Sequence, residues 1–271
     1  MGNALFIVWR ETIEAMLVIG ILHGWLSARP GARAGLTWLW GGIAAGLGLA
    51  VFLAITIMNI QSWASGATLE WFQALMPIVA CGLIFQMVWW MRRHGAGLKK
   101  ELEAKMASAT ERANWLGMAV LAAVAVGREG AESVVFLYGA VKGSSNADIA
   151  LGGATGFILA LGAYWLLSRG SRFISWRAFF RVTEVLLLLL GGALLVDGTE
   201  KLVGLEALPA LADPLWSTAS LLDDSTRAGG LVAAFTGYRA APSGMAYALL
   251  AAYWALALGM LLRLKPMRRK A

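Results

Sequence analysis

Two short stretches put charge where the surrounding chain is oily. Phe6-Ile7-Val8-Trp9-Arg10-Glu11-Thr12-Ile13-Glu14-Ala15-Met16-Leu17 and Ala125-Val126-Gly127-Arg128-Glu129-Gly130-Ala131-Glu132-Ser133-Val134-Val135-Phe136 each carry Arg-Glu-x-x-Glu inside an apolar run. On a helix, residues three and four apart share a face. Glu11 then lies beside Glu14, Arg10 reaches Glu14, and Arg128, Glu129 and Glu132 repeat the arrangement. If the stretches face each other, four carboxylates and two guanidinium groups converge, a net of two negative charges when all are ionised. Two uncompensated carboxylates in low dielectric take up protons or a cation. Carboxylate oxygens are hard ligands that suit a hard, multivalent cation, whereas copper(I) wants Cys or Met sulfur. Met58, Met76, Met87 and Met91 show no clustered spacing and read as packing. The arginines read as holding the glutamates in place and limiting the negative charge. The plain alternative is a set of buried interhelical salt bridges; two copies of the motif count against it.

Charge inside an apolar run is costly when the run lies in a membrane, and composition says that it does. Of 271 residues, 59% are hydrophobic and only 14% charged, far from the roughly 25% of a soluble domain. The expected fold class is an all-α integral membrane protein. One cysteine, Cys81, and two histidines, His23 and His94, exclude a disulfide framework, an iron-sulfur cluster held by this chain alone and a His-rich metal cage. Metal chemistry here must use oxygen.

Seven runs are long enough to span about 30 Å of hydrocarbon, which takes roughly 20 residues each. They fall near 4-26, 35-58, 70-91, 114-138, 148-168, 178-197 and 244-263. The first lacks the basic segment and cleavage site of a signal peptide and contains charge, so it is expected to be helix 1. Basic residues set the orientation. Arg29 and Arg33 follow helix 1; Arg92, Arg93, Lys99, Lys100, Lys105 and Arg112 follow helix 3; Arg169, Arg172, Arg177 and Arg181 follow helix 5; Arg263, Lys265, Arg268, Arg269 and Lys270 end the chain. Only Lys142, Lys201, Arg227 and Arg239 fall on the other side. The positive-inside rule then places the N-terminus outside and the C-terminus in the cytoplasm. The net charge of +7 is a topology signal, not a nucleic-acid patch. The outer side carries Glu70, Asp148, Asp197, Glu200, Glu206, Asp213, Asp223 and Asp224, which either concentrate cations or are ordinary solvated loop charges.

Helices 1 and 4 run in opposite directions, three spans apart, as an inverted repeat of helices 1-3 and 4-6 would place them, with helix 7 outside it. The glycines agree: Gly41, Gly42, Gly46 and Gly48 on helix 2 are matched by Gly152, Gly153, Gly156 and Gly162 on helix 5. Gly42 with Gly46 and Gly152 with Gly156 form Gly-x-x-x-Gly pairs that let backbones approach closely. The expected organisation is one transmembrane unit over 1-271: repeat A about 4-91, a cytoplasmic linker about 92-113, repeat B about 114-197, an external segment about 198-243 and helix 7 about 244-263. In the linker, Leu98 to Arg112 reads as a surface helix or solvated linker with no transport role. In the external segment, Leu202 to Leu211 and Leu231 to Phe235 suggest short helices. Glu184 is expected to pair near Arg181, His23 to sit at the interface and Cys81 to lie in the core. Rise per residue places Glu14 about 15 Å along helix 1, near mid-membrane.

The two charged segments resemble the paired Arg-Glu-x-x-Glu motifs of the oxidase-dependent iron permeases, the family of the fungal high-affinity and bacterial Efe-type permeases. Trp89-Trp90-Met91-Arg92-Arg93 and Gly237-Tyr238-Arg239-Ala240-Ala241-Pro242-Ser243 also resemble family segments, so the likeness covers most of the chain. It implies a seven-helix permease carrying iron inward across the cytoplasmic membrane. Glu11, Glu14, Glu129 and Glu132 would bind the ion, supported by Arg10 and Arg128. An external or periplasmic iron oxidase or delivery protein would supply the iron as ferric ion. Iron is then the transported substrate, with no permanently bound cofactor, no catalytic residue and no nucleic acid partner; a homo-oligomer is compatible with the sequence. Thr12 stands where the family commonly has Gly, and Gln73 where a family glutamate is expected. Release inward would follow when the two repeats rock or a gate opens. The alternatives are a transporter of another hard divalent ion such as manganese, a membrane carboxylate di-iron oxidase, for which the usual Glu-x-x-His pairs are missing, and a non-transporting scaffold, which predicts no metal binding.

Overall fold

The computed structural model describes residues 2–28, 35–94, 101, 102, 104, 106, 107, 115–140, 145–168 and 176–263, the side chains of 167, 176–179 and 227 excepted. Among them are eight helices and no strand: α1 (Gly2–Ser27), α2 (Gly35–Trp63), α3 (Ala67–His94), α4 (Trp115–Ala140), α5 (Asn146–Ser168), α6 (Trp176–Gly204), α7 (Arg227–Thr236) and α8 (Gly244–Arg263). Five of these, α2, α3, α5, α6 and α8, contain stretches long and apolar enough to cross a membrane. The other two long helices, α1 and α4, have 26 residues each and carry the Arg-Glu-x-x-Glu charges.

Water does not drive helices together in lipid, so close packing of small residues must do it. The closest pairs are α2 with α4, α1 with α5 and α3 with α6, and α1 also packs on α4. Glycine makes these contacts. A Cβ on Gly42 would stand 2.2 Å from the Ala119 carbonyl oxygen, and one on Gly46 2.7 Å from that of Ala123, so α2 touches the backbone of α4. One on Gly156 would meet the Leu5 carbonyl oxygen at 2.4 Å, so α5 does the same to α1. The outward faces of α2 and α5 keep large apolar residues exposed, among them Phe52, Met58, Ile158 and Trp165, as lipid contact requires. The main core lies where α1, α3, α4, α6 and α8 converge, around Ile84, Phe136, Leu187, Leu190 and Tyr253. Cys81 is buried in it.

Three expectations need correction. α6 does not stop near 197 but continues to Gly204. The polar run from Asp197 reads as the end of a span, yet an Asp197–Lys201 pair and a Thr199 hydroxyl donating to Leu195 O keep it helical, and Gly198 lies tight against Ala74 and Ile78 of α3. The short helix expected over Leu202 to Leu211 is therefore absent: beyond Gly204 the chain turns, with positive φ at Glu206 and Leu211. Glu184 pairs with Arg92 of α3, not with Arg181, and the same guanidinium donates to Leu261 O at 3.3 Å, tying α3, α6 and α8 together. The second short helix is present as α7. Thr226 caps it by accepting from Gly229 N, and Gly237, at φ 73°, ends it in the left-handed conformation that glycine adopts without penalty. Most of the Leu98 to Arg112 segment lies outside the described residues. The described part is helical, and Leu102 and Met106 are buried with Leu22, Leu39 and Met118, so these two are packing residues and not solvated ones.

Candidate metal centre

α1 and α4 bring the two motifs face to face. Ligand oxygens of Glu11, Glu14 and Glu129 all lie within 4.8 Å of one another. Glu132 does not join that group, but it is close enough to interact electrostatically with Glu11 and Glu14. Glu11 is fully buried and Glu14 and Glu132 nearly so.

Glycine again decides the approach. Gly127, just before the second motif, stands with a Cβ position 3.6 Å from Gly46, and a Cβ on Gly130, within the motif, would fall 2.5 Å from that of Ala50. The α2–α4 contact thus fixes the rotation of α4 at Arg128 to Glu132 and turns its glutamates toward α1. Gly156 pressing on Leu5 and Trp9 does the same for α1 immediately ahead of Arg10.

Both arginines hold their glutamates, in different ways. Arg10 is buried; Nη1 donates to Glu11 Oε1 at 2.6 Å and Nη2 to Glu14 Oε1. Its other terminal N–H groups point at sulfur, Nη1 at Met87 Sδ (2.9 Å) and Nη2 at Met91 Sδ (3.8 Å). Arg128 donates from Nε to Glu132 Oε1 at 2.7 Å, and its guanidinium carbon sits 5.0 Å from the centre of the Trp90 ring. The arginines take one oxygen each of Glu11, Glu14 and Glu132; Glu11 Oε2, Glu129 Oε2 and Glu132 Oε2 are buried with no hydrogen-bond partner, as is Arg10 Nε. A buried carboxylate oxygen without a donor is costly, so this arrangement suits a ligand that supplies positive charge. Sequence reading missed the part played by Met87, Trp90 and Met91. Met87 and Met91, set aside as unclustered, are four residues apart and share a face, which was the available signal.

The acids expected on the outer side are largely engaged. Arg239 bridges Asp197 (3.0 Å) and Asp224 (3.4 Å), Glu200 accepts from Ser243 N (2.8 Å), and Asp148 exchanges hydrogen bonds with Ser145. The backbone N–H of Ser225 holds the Asp223 carboxyl below its ordinary range. Asp197 and Glu200 thereby tie the 205–243 segment to the end of α6. Gln73 lines a cleft of about 260 Å³ with Glu70, Lys201, Gly204 and Leu205. His23 is exposed, its ring centroid 6.3 Å from that of Trp40.

A bundle with five helices long and apolar enough to cross a membrane, and an anionic cluster where two charged helices meet, is that of a multi-pass membrane protein. The chain belongs to the iron permease FTR1 family, whose model matches residues 1–267. It is 28% identical over 242 residues to a protein of Escherichia coli O6:H1 named ferrous iron permease EfeU, covering 88% of this chain and 86% of that one. A Yersinia pestis protein of the same name is 25% identical (88% and 84% covered), and an uncharacterized Archaeoglobus fulgidus protein is 27% identical over 271 residues (97% and 95%). The two relatives with functional names are named as permeases. No solved structure matches.

Proposed function

We propose that this chain imports iron across the cytoplasmic membrane through a site between α1 and α4, with Glu11, Glu14 and Glu129 as ligands, Glu132 as the reserve carboxylate, and Arg10 and Arg128 limiting the charge. The observation that carries this reading is the set of buried, unpartnered oxygens on Glu11, Glu129 and Glu132 beside three carboxylates within 4.8 Å. Salt bridges alone would leave no reason for oxygens kept dry and bare. An arriving cation replaces its water with these oxygens, the step a charged site in a bundle core favours.

In this reading α1 to α6 and α8 are the seven spanning helices of one permease unit, with the N-terminus outside and the basic loops in the cytoplasm. An inverted repeat accounts for the packing: exchanging helices 1-3 with 4-6 turns the α1–α5 pair into α4–α2 and leaves α3–α6 unchanged, and the glycine contacts follow the same exchange. The relatives are named for ferrous iron. Four hard carboxylates favour the ferric ion, so an external oxidase or delivery protein is the partner this site implies, with iron as cargo and no resident cofactor.

Iron-55 uptake by cells expressing Glu14→Gln tests the reading. Uptake falling to that of cells lacking the protein, with the variant present at normal level in the membrane, is the expected result; normal uptake would remove the site assignment. Competition by manganese on purified protein distinguishes an iron site from a general site for hard divalent ions.

A further inference from the structure

Three uncharged residues within five positions of α3 meet the motif arginines, two of them Arg10 and the third Arg128. Met87 and Met91, one turn apart, face Arg10 at 2.9 and 3.8 Å, and Trp90 lies beneath Arg128 at 5.0 Å. Each terminal nitrogen of Arg10 is therefore bracketed by one carboxylate and one thioether. The choice of sulfur matters because a thioether is a weak acceptor. It gives a buried N–H group a direction without drawing the cation away from Glu11 and Glu14, as an amide or carboxylate at 87 or 91 would do. An alkyl side chain there would leave buried N–H groups with nothing to point at, and an unfilled acceptor in the same cluster is Glu11 Oε2, an oxygen an ion would use.

We propose that Met87, Trp90 and Met91 are positioning residues of the metal site, holding the arginines of both motifs in the orientation that leaves the second oxygens of Glu11, Glu129 and Glu132 open to iron. The inference rests on the reading of Glu11, Glu14 and Glu129 as ligands. It assigns a part of the site to α3, which carries no motif.

The test is equilibrium binding of iron-55, supplied as ferric citrate, to the purified full-length chain in detergent. Leucine nearly conserves the volume of methionine. Met87→Leu with Met91→Leu is expected to weaken binding by roughly three- to tenfold. In an Arg10→Gln background the same pair should have no further effect, because the sulfurs act only through that arginine. Trp90→Leu should weaken binding about threefold while Trp90→Phe, which keeps an aromatic face, restores it; this pair carries the test by itself if Arg10→Gln does not fold. Wild-type affinity in the double methionine variant, an equal loss with and without Arg10, or equal behaviour of Trp90→Leu and Trp90→Phe would overturn the proposal. Glu14→Gln separates the two readings. Lost binding in Glu14→Gln beside intact binding in the α3 variants removes the positioning role and leaves the site, whereas intact binding in Glu14→Gln removes both.

Discussion

Arg10 is 1% exposed and directs four of its five N–H groups at Glu11, Glu14, Met87 and Met91; Arg128, in the second copy of the same motif, is 39% exposed, bonds Glu132 through Nε and lies over Trp90. Identical letters thus build a fixed half and a half with room to move. The difference comes from the neighbours. α3 packs on α4 more closely than α6 packs on α1, so the exchange that relates the other helices is broken here, and one segment of α3 serves both arginines unequally.

The sharpest way to break this comparison is to neutralise one glutamate from each copy. Glu14→Gln should abolish iron-55 uptake, whereas Glu132→Gln, outside the group of three, should reduce it about tenfold, as loss of a supporting group does. Equal losses would mean that all four carboxylates bind alike. Next come the arginines. Arg10→Gln leaves two buried carboxylates without their cation and should cost about 3–5 kcal/mol. Arg128→Gln removes a half-open pair and a stacked contact and should cost about 1 kcal/mol or less. Thermal unfolding of the purified variants measures both, and matching shifts would erase the distinction between fixed and movable halves. The last contrast, which ends on the smallest effect, is at the third residue of each motif, Thr12 and Gly130. Gly130→Thr drives a Cβ to 2.5 Å from that of Ala50 and should cost about 1–3 kcal/mol, recovered when Ala50→Gly is added. Thr12→Gly should cost less than 1 kcal/mol, the helix-propensity term alone.

What the sequence made legible was what period and solvent determine. Charges three and four apart had to share a face, and the last long helix begins at the expected residue, Gly244, where the Ser243 hydroxyl accepts from Ala246 N, and runs to Arg263, the last described residue. The glycine pairs foretold close backbones, though not which helices would meet. The rest depended on partners distant in sequence. Glu184 had a local candidate in Arg181 and chose Arg92, 92 positions away. Asp197 and Glu200 read as loop charges because Arg239 and the Ser243 N–H, their actual partners, lie some forty residues further on. Met87 and Met91 looked like filler, since nothing in a methionine announces that its sulfur will face a guanidinium on another helix.

Gly46 meets Gly127, and Gly156 meets Leu5, at distances that leave no side chain between the helices. Helices in such contact travel together. A motion that slid the first three helices as a block past the next three would shear both of these joints, so an opening that spares them must part α1 with α5 from α2 with α4. That fault line passes between Glu14 and Glu129. Under the proposed function, an ion seated there would be a rivet across it, clasping the two pairs on arrival and letting them come apart on departure.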